Sequence, residues 1–239
     1  AQGLPARPRP RRRPRAGGGV IPAAVLFDCD GVLADSEGLH NRILAEEITA
    51  LGWEVTPEEC ERRFVGLPWD AIRPHIEARL GPDSVPPDFL KSLIARILRG
   101  LREELSPIPG AMAALEAVRA TGLPVAVATN SSRAELATKL TRLGLTETFR
   151  GRAFSVDDVD QPKPAPDLYR AAAAACGADP HRCVVVEDSP TGARAGRAAG
   201  CRVLGLVHGE SGPALAAAGA ETFTRMEDLP GLLGLTLAR

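Results

Sequence analysis

The sequence predicts an α/β protein, a Rossmann-like parallel sheet with an all-helical segment inserted after its first strand. Three observations carry that expectation. Several short apolar runs show no polar alternation, which is the pattern of strands buried on both faces. Helical stretches separate the later runs, and strand–helix repetition of this kind builds a parallel sheet. One long interval, residues 38–105, breaks the repetition with helical periodicity and no convincing strand.

The elements follow in chain order. Residues 1–20 form an Arg/Pro/Gly-rich tail, with Arg7, Arg9, Arg11, Arg12, Arg13 and Arg15 and no acidic residue. Pro and Gly deny it regular structure and it has almost no apolar surface, so disorder is expected. A targeting remnant or a nucleic-acid arm is the other reading of such a segment. The first strand is Ala23–Phe27, and the α/β core is expected to take in residues 21–37 and 106–239. Within the 38–105 insert, Ile43, Leu44, Glu47, Ile48 and Leu51 keep a 3.6-residue period, as do Phe89, Leu93, Ile97 and Leu101. Pro57, Pro68, Pro86 and Pro87 stand where helices would begin. The core resumes at Pro107-Ile108-Pro109-Gly110. Helices are expected over 110–120, 132–143, 166–176 and 191–199, and strands over 124–128, 183–186 and 202–207.

Composition bounds the function. The chain has 239 residues and a formal charge of −1, from 29 Lys+Arg against 30 Asp+Glu. Six of those cations lie in the tail, so the remainder carries a charge of −7. A nucleic-acid-binding body would show the opposite excess. An anionic substrate must therefore be met by a local device. The length suits one large domain or two smaller ones and allows a core without staples. No apolar run approaches the roughly 20 residues needed to span a bilayer, so no membrane partner is expected. Five scattered cysteines with no CxxC pair fit free thiols in a reducing compartment, hence a cytoplasmic location.

Chemistry concentrates at strand ends, where open α/β sheets bind ligands. The first strand runs into Asp28-Cys29-Asp30-Gly31. Two carboxylates this close repel unless a cation or a shared proton intervenes, and hard divalent ions take such oxygen ligands. Alone, the pair reads equally well as turn acids. A later strand ends in Glu187-Asp188-Ser189, and buried strands rarely finish in adjacent acids without a partner. Another ends in Thr129-Asn130-Ser131-Ser132, donors suited to phosphate oxygens at a helix start. Ser131 or Ser132 is also an ordinary N-cap candidate. Lys163 sits between Pro162 and Pro164, in a chain with three lysines (Lys91, Lys139, Lys163) and 26 arginines. A compact ammonium there could balance the carboxylates and grip a phosphoryl oxygen.

In this order, DxDGVLxDSE, the Thr-Asn-Ser strand end, KPxPD and VEDSxxGxxAxxAAG resemble the motif set of the haloacid dehalogenase superfamily. The similarity is to its branch with a helical cap after the first strand, which includes β-phosphoglucomutase and small-metabolite phosphatases. The resemblance implies that Asp28 is the nucleophile and Asp30 the general acid–base. It implies that Thr129 and Lys163 hold the transferring phosphoryl group, with Asn130, Ser131 and His40 contacting substrate. Asp28, the backbone carbonyl of Asp30, and Asp188 would ligate Mg²⁺, with Glu187 a direct or water-mediated neighbour. The expected partner is a small phosphorylated metabolite and the expected state a monomer.

The remaining candidates carry weaker signals. Cys29 reads as packing by strand alternation. His40 suits a substrate contact at the cap hinge or an ordinary helix surface. His75, His181 and His208 lack metal-ligand spacing and read as bystanders. Trp53 and Trp69 read as cap packing, and the Phe64–Trp69 turn falls where capped relatives place a specificity loop. A Mg²⁺-dependent phosphatase is the first expectation. The alternative is a phosphomutase, which would need a cap arginine after Gly66; the stretch Leu67-Pro68-Trp69-Asp70 has none, leaving Arg73 and Arg96 as substitutes. A true dehalogenase would lack Asp30, and a non-enzymatic binding module would be expected to lose Asp28, Asp30 or Lys163.

Overall fold

The computed structural model describes residues 21–64, 67 and 69–235. The central strand β1 (Ala24–Phe27) is buried at every position, as its unbroken apolar run requires. After β1 the chain forms a short strand β2 (Ala34–Asp35) and four helices. These are α1 (Glu37–Ala50), α2 (Pro57–Phe64), α3 (Trp69–Leu80) and α4 (Phe89–Glu103). Strand β3 (Ser106–Pro107) then pairs antiparallel with β2, Ala34 opposite Pro107, so the two chain crossings into and out of the insert are tied together. The helix α5 (Ala111–Ala120), strand β4 (Val125–Ala128), helix α6 (Arg133–Arg142) and strand β5 (Ala153–Phe154) come next. The last stretch holds α7 (Asp167–Ala175), β6 (Cys183–Glu187), α8 (Pro190–Ala199), β7 (Arg202–Leu206), α9 (Gly212–Ala217), β8 (Glu221–Phe223) and α10 (Leu229–Leu232).

Six strands form one parallel sheet in the order β5-β4-β1-β6-β7-β8. The chain works outward from β1 to β4 and β5, then returns to lay β6 on the other side of β1. That reversal opens a crevice at the carboxyl ends of β4, β1 and β6, the place where doubly wound sheets hold ligands. Register brings the three ends level, with Phe27 beside Val127 and Val186. Side chains of β1 alternate between two cores. Val25 and Phe27 pack into one with residues of α5, α6 and the insert, and Ala24 and Leu26 into the other with α7, α8 and α9.

Two strands of the six-stranded sheet, and the β2–β3 pair, carry no signal in the sequence reading. β5 and β8 are edge strands of two and three residues, too short to leave an apolar run. Pro74 inside α3 was also unforeseen. It removes one helix bond without ending the helix. Pro57 opens α2 as expected, whereas Pro68 lies outside the described residues. Inside the insert, Arg96 bridges Glu46 and Glu47, both at 2.5 Å, and Arg42 bridges Glu46 at 2.9 Å and Glu104 at 2.6 Å. These pairs join α1 to α4. From the core, Arg142 at the end of α6 donates to the carbonyl of Leu105 at 3.1 Å. Among the described residues no helix is long and apolar enough to cross a membrane, and all five cysteines are free.

Candidate active site

Asp28 follows β1 directly, and its backbone N–H donates to the Val186 carbonyl at 2.9 Å, which fixes its side chain over the crevice. Lys163 arrives from the loop between β5 and α7. Its Nζ lies 2.6 Å from Asp28 Oδ1 and 2.8 Å from Glu187 Oε1. All three groups are buried. Two backbone bonds set the lysine in place, because Asn130 accepts from the Lys163 N–H at 2.9 Å and donates to its carbonyl at 3.1 Å. Tyr169 of α7 lies under the ammonium, 4.7 Å from ring centre to Nζ, and its hydroxyl donates to Glu187 Oε1 at 2.8 Å. The other oxygen, Glu187 Oε2, accepts from the backbone N–H groups of Asp188 and Ser189 and from the Ser189 hydroxyl, at 3.0, 3.0 and 2.9 Å. Glu187 thus receives five protein donors. Burial would push its carboxyl up, but Lys163 and these donors hold it below the ordinary range.

Asp28 titrates differently. Burial first, and the charges of Glu187 and Asp30 after it, push its carboxyl up to about 7 against the opposing pull of Lys163. Asp188 is pushed up to about 9, by burial and then by Asp28 and Glu187. One lysine does not neutralise this set. Asp28, Glu187 and Asp188 each offer a carboxylate oxygen within 4.8 Å of the others. An all-oxygen donor set with surplus negative charge suits a hard divalent cation such as Mg²⁺. The residues therefore fit that ion. Gly31 makes the closeness possible. It holds a positive φ of 70°, and a Cβ there would stand 1.8 Å from Asp188 Oδ2. His208, from the loop after β7, lies 2.7 Å by Nε2 from the Gly31 carbonyl, so the histidine expected to be a bystander braces this turn.

Asp30 is held by a separate group of donors. Oδ1 accepts from the Ser36 hydroxyl and from Lys139 Nζ, the latter at 2.5 Å. Oδ2 accepts from Ser131 Oγ at 2.8 Å and Thr129 Oγ1 at 3.1 Å. Burial would raise this carboxyl. The Lys139 ammonium and its hydrogen bonds, with Ser36, outweigh burial and hold it below the ordinary carboxylate range. His40, on the first turn of α1, lies 3.9 Å from Glu135 of α6 and faces Lys139 and Asp30. Burial, then Lys139, push its imidazole below the ordinary histidine range.

The crevice thus gathers Asp28, Asp30, Thr129, Ser131, Lys163, Glu187 and Asp188, with His40 at its edge. Asn130 is nearby, but its amide is engaged by the Lys163 backbone. Ser132, not Ser131, caps α6, accepting from Glu135 N in a reciprocal capping box. Cys29 is fully buried in the core with Val25 and Phe27. Of the 64–69 stretch, Val65, Gly66 and Pro68 and the Trp69 side chain lie outside the described residues. Sequence reasoning passed over Lys139, Ser36 and Tyr169. Lys139 carried a legible signal, a lysine on the apolar Leu136/Leu140 face of a helix. Ser36 did not, since it occupies the N-cap of α1 and reads as a cap, yet its side chain makes no capping bond.

The chain is 32% identical over 212 residues to a phosphorylated carbohydrates phosphatase of Thermotoga maritima, covering 88% of this chain and 97% of that protein. It is 30% identical over 209 residues to the 6-phosphogluconate phosphatase of Escherichia coli, covering 87% and 93%. A crystal structure of a haloacid dehalogenase family hydrolase from Deinococcus radiodurans, with bound phosphate and sodium, is 36% identical. It superimposes with a TM-score of 0.76 over 90% of this chain and 99% of that one. Residues 22–200 match the family model of the haloacid dehalogenase-like hydrolases, and the chain belongs to that family.

Proposed function

We propose that the protein is a Mg²⁺-dependent phosphatase that hydrolyses a small phosphorylated metabolite, a sugar phosphate or similar, through an aspartyl-phosphate on Asp28. The observation that carries this reading is the buried Asp28 carboxylate, bonded to Lys163 at the end of the central strand. In the first half-reaction Asp28 Oδ forms a bond to phosphorus, the bond from phosphorus to the ester oxygen breaks, and Asp30, ionised in the free site, passes to the departing alkoxide a proton it has first taken from the monoprotonated phosphate ester. In the second, Asp30 takes a proton from water, the water oxygen bonds to phosphorus, and the Asp28 Oδ–P bond breaks to release phosphate. Lys163 and Thr129 would hold the phosphoryl oxygens. Asp28, Asp188 and the backbone carbonyl of Asp30 would hold Mg²⁺, with Glu187 directly or through water. The ion supplies positive charge that offsets repulsion between an anionic nucleophile and an anionic ester. The helical insert, residues 38–105, would act as the cap that shields the reacting groups from bulk water.

The substrate class is supported by the phosphorylated carbohydrate and sugar-acid phosphatases among its relatives. The two arginines that the phosphomutase alternative would need are already engaged by other groups. Arg73 is bonded to Glu77 and to the Val85 carbonyl, and Arg96 to Glu46 and Glu47, all within the insert. The test is phosphate release from a panel of sugar phosphates with Mg²⁺, for the wild type and Asp28→Asn. The variant should keep its circular dichroism spectrum and lose turnover at least 10³-fold. Retained turnover would refute the nucleophile assignment. Conversion of β-glucose 1-phosphate to glucose 6-phosphate without phosphate release, given a trace of the bisphosphate, would favour the mutase.

A further inference from the structure

Lys139 is a fully buried lysine that the reaction as outlined does not use. It lies on α6, on the face that also buries Leu136 and Leu140. An aliphatic residue would suit that face without the cost of burying an ammonium. The chain carries 26 arginines and three lysines, yet two of the three lysines end on the two aspartates of the Asp28-Cys29-Asp30 segment. Lys163 takes Asp28. Lys139 takes Asp30, at 2.5 Å from Oδ1, and also lies 2.7 Å from Ser131 Oγ, whose own hydroxyl reaches Asp30 Oδ2 at 2.8 Å. The ammonium, the hydroxyl and the two carboxylate oxygens close a ring. An ammonium can only donate, so the ring presents both oxygens of Asp30 as acceptors in a fixed orientation. Lysine suits the place better than arginine because its compact head serves two acceptors at one point.

We propose that Lys139 is a positioning residue for the second half-reaction. Directly and through Ser131, it holds the Asp30 carboxylate in place to accept the proton of the attacking water. The proposal rests on the reading of Asp30 as the proton-handling group and concerns a residue that touches neither phosphate nor metal in that reading. It assigns Lys139 no part in forming the aspartyl-phosphate.

That separation gives a kinetic signature. p-Nitrophenyl phosphate carries a leaving group that departs with little acid assistance, so removal of Lys139 should leave the first half-reaction intact and slow the second. Rapid mixing of Lys139→Gln with this ester and Mg²⁺ should show a burst of p-nitrophenolate near one equivalent. The following steady state should be at least tenfold slower than wild type, a share of the 10²–10⁴-fold that general base catalysis supplies. kcat and KM should fall together and kcat/KM should hold within about threefold. A loss of kcat/KM equal to the loss of kcat, without a burst, would mark general damage and overturn the proposal, as would unchanged kcat. Asp30→Asn separates the two levels. If it bursts and Lys139→Gln does not, the proposal fails alone; if it retains wild-type kcat, the reading of Asp30 fails. Should Lys139→Gln fail to fold, Ser131→Ala decides, with the same burst and a smaller slowing expected and wild-type kinetics overturning the proposal.

Discussion

Asp188 sits where function and stability pull in opposite directions. Its carboxyl is pushed up to about 9, by burial and then by Asp28 and Glu187, so at pH 8 the metal-free fold must protonate a side chain that is ionised in the unfolded chain, at a cost in stability. Asp188→Asn removes that conflict while keeping the shape. The metal-free variant should therefore unfold at a higher temperature than the metal-free wild type at pH 8. About 1 kcal/mol of relief corresponds to roughly 2–4 °C for a chain of this size. The variant should also lose both turnover and its thermal response to Mg²⁺, a trade common at charged sites. Differential scanning calorimetry with and without chelator measures it, and a lower melting temperature would contradict the electrostatic account. Residues of this kind were legible in the sequence, because acids at the end of an apolar run conflict with burial. Lys139 conflicted in the same way, on the buried face of α6, but helix periodicity does not say which strand end lies opposite a helix. Ser36 could not be recognised, since one hydroxyl serves equally as a cap and as a donor to Asp30.

The secondary-structure elements carry these side chains by packing closely, and α8 shows the tolerance. Ser189 caps it and Pro190 occupies its first turn, two features visible in the sequence. Gly192 follows, and a Cβ there would stand 1.6 Å from Glu187 Oε1. Alanine is ordinarily favoured over glycine in a helix by about 1 kcal/mol. At Gly38 of α1, where nothing lies within 4 Å, Gly38→Ala should gain a stabilisation of that order. At Gly192 the clash falls on a carboxylate held by five donors, which cannot yield cheaply. Gly192→Ala should destabilise by about 2 kcal/mol. It should also lower turnover at least tenfold, because Oε1 is the oxygen that Lys163 shares. Chemical denaturation and phosphate release on the two variants check the contrast, and equal behaviour would refute it. Long buried strands and capped helices were readable because each depends on a run or a cap. The edge strands β5 and β8 were not, because a sheet already built on β4 and β7 recruits them by backbone bonding with little demand on their side chains.

For the whole molecule, the acidic charge outside the tail and the strand-end cluster combine into a dependence on pH and metal. Asp28 and Asp188 have folded values of about 7 and about 9, against an ordinary 3.8. Between about pH 4 and those values the folded protein binds more protons than the unfolded chain. Stability of the metal-free protein therefore falls as pH rises through that window. Asp30 and Glu187 act with the opposite sign. Their folded values lie below the ordinary range, so their contribution is present above the unfolded values and is lost as pH falls through the folded ones. Lys139 and Lys163 are raised, and what they contribute persists until alkaline pH exceeds the ordinary lysine value. The metal-free melting temperature should accordingly peak near pH 5 and decline toward pH 9. On the proposed reading Mg²⁺ would bind the deprotonated carboxylates of the folded state, so its stabilising effect should grow over the same interval. General repulsion in an acidic body would also lower stability with pH, but it would do so equally in Asp188→Asn. The site-specific account requires that variant to show a shallower decline between pH 7 and 9. Melting curves with chelator and with Mg²⁺, for both proteins at pH 5, 7 and 9, make the comparison. Parallel declines in the two proteins would assign the effect to net charge and remove it from the site.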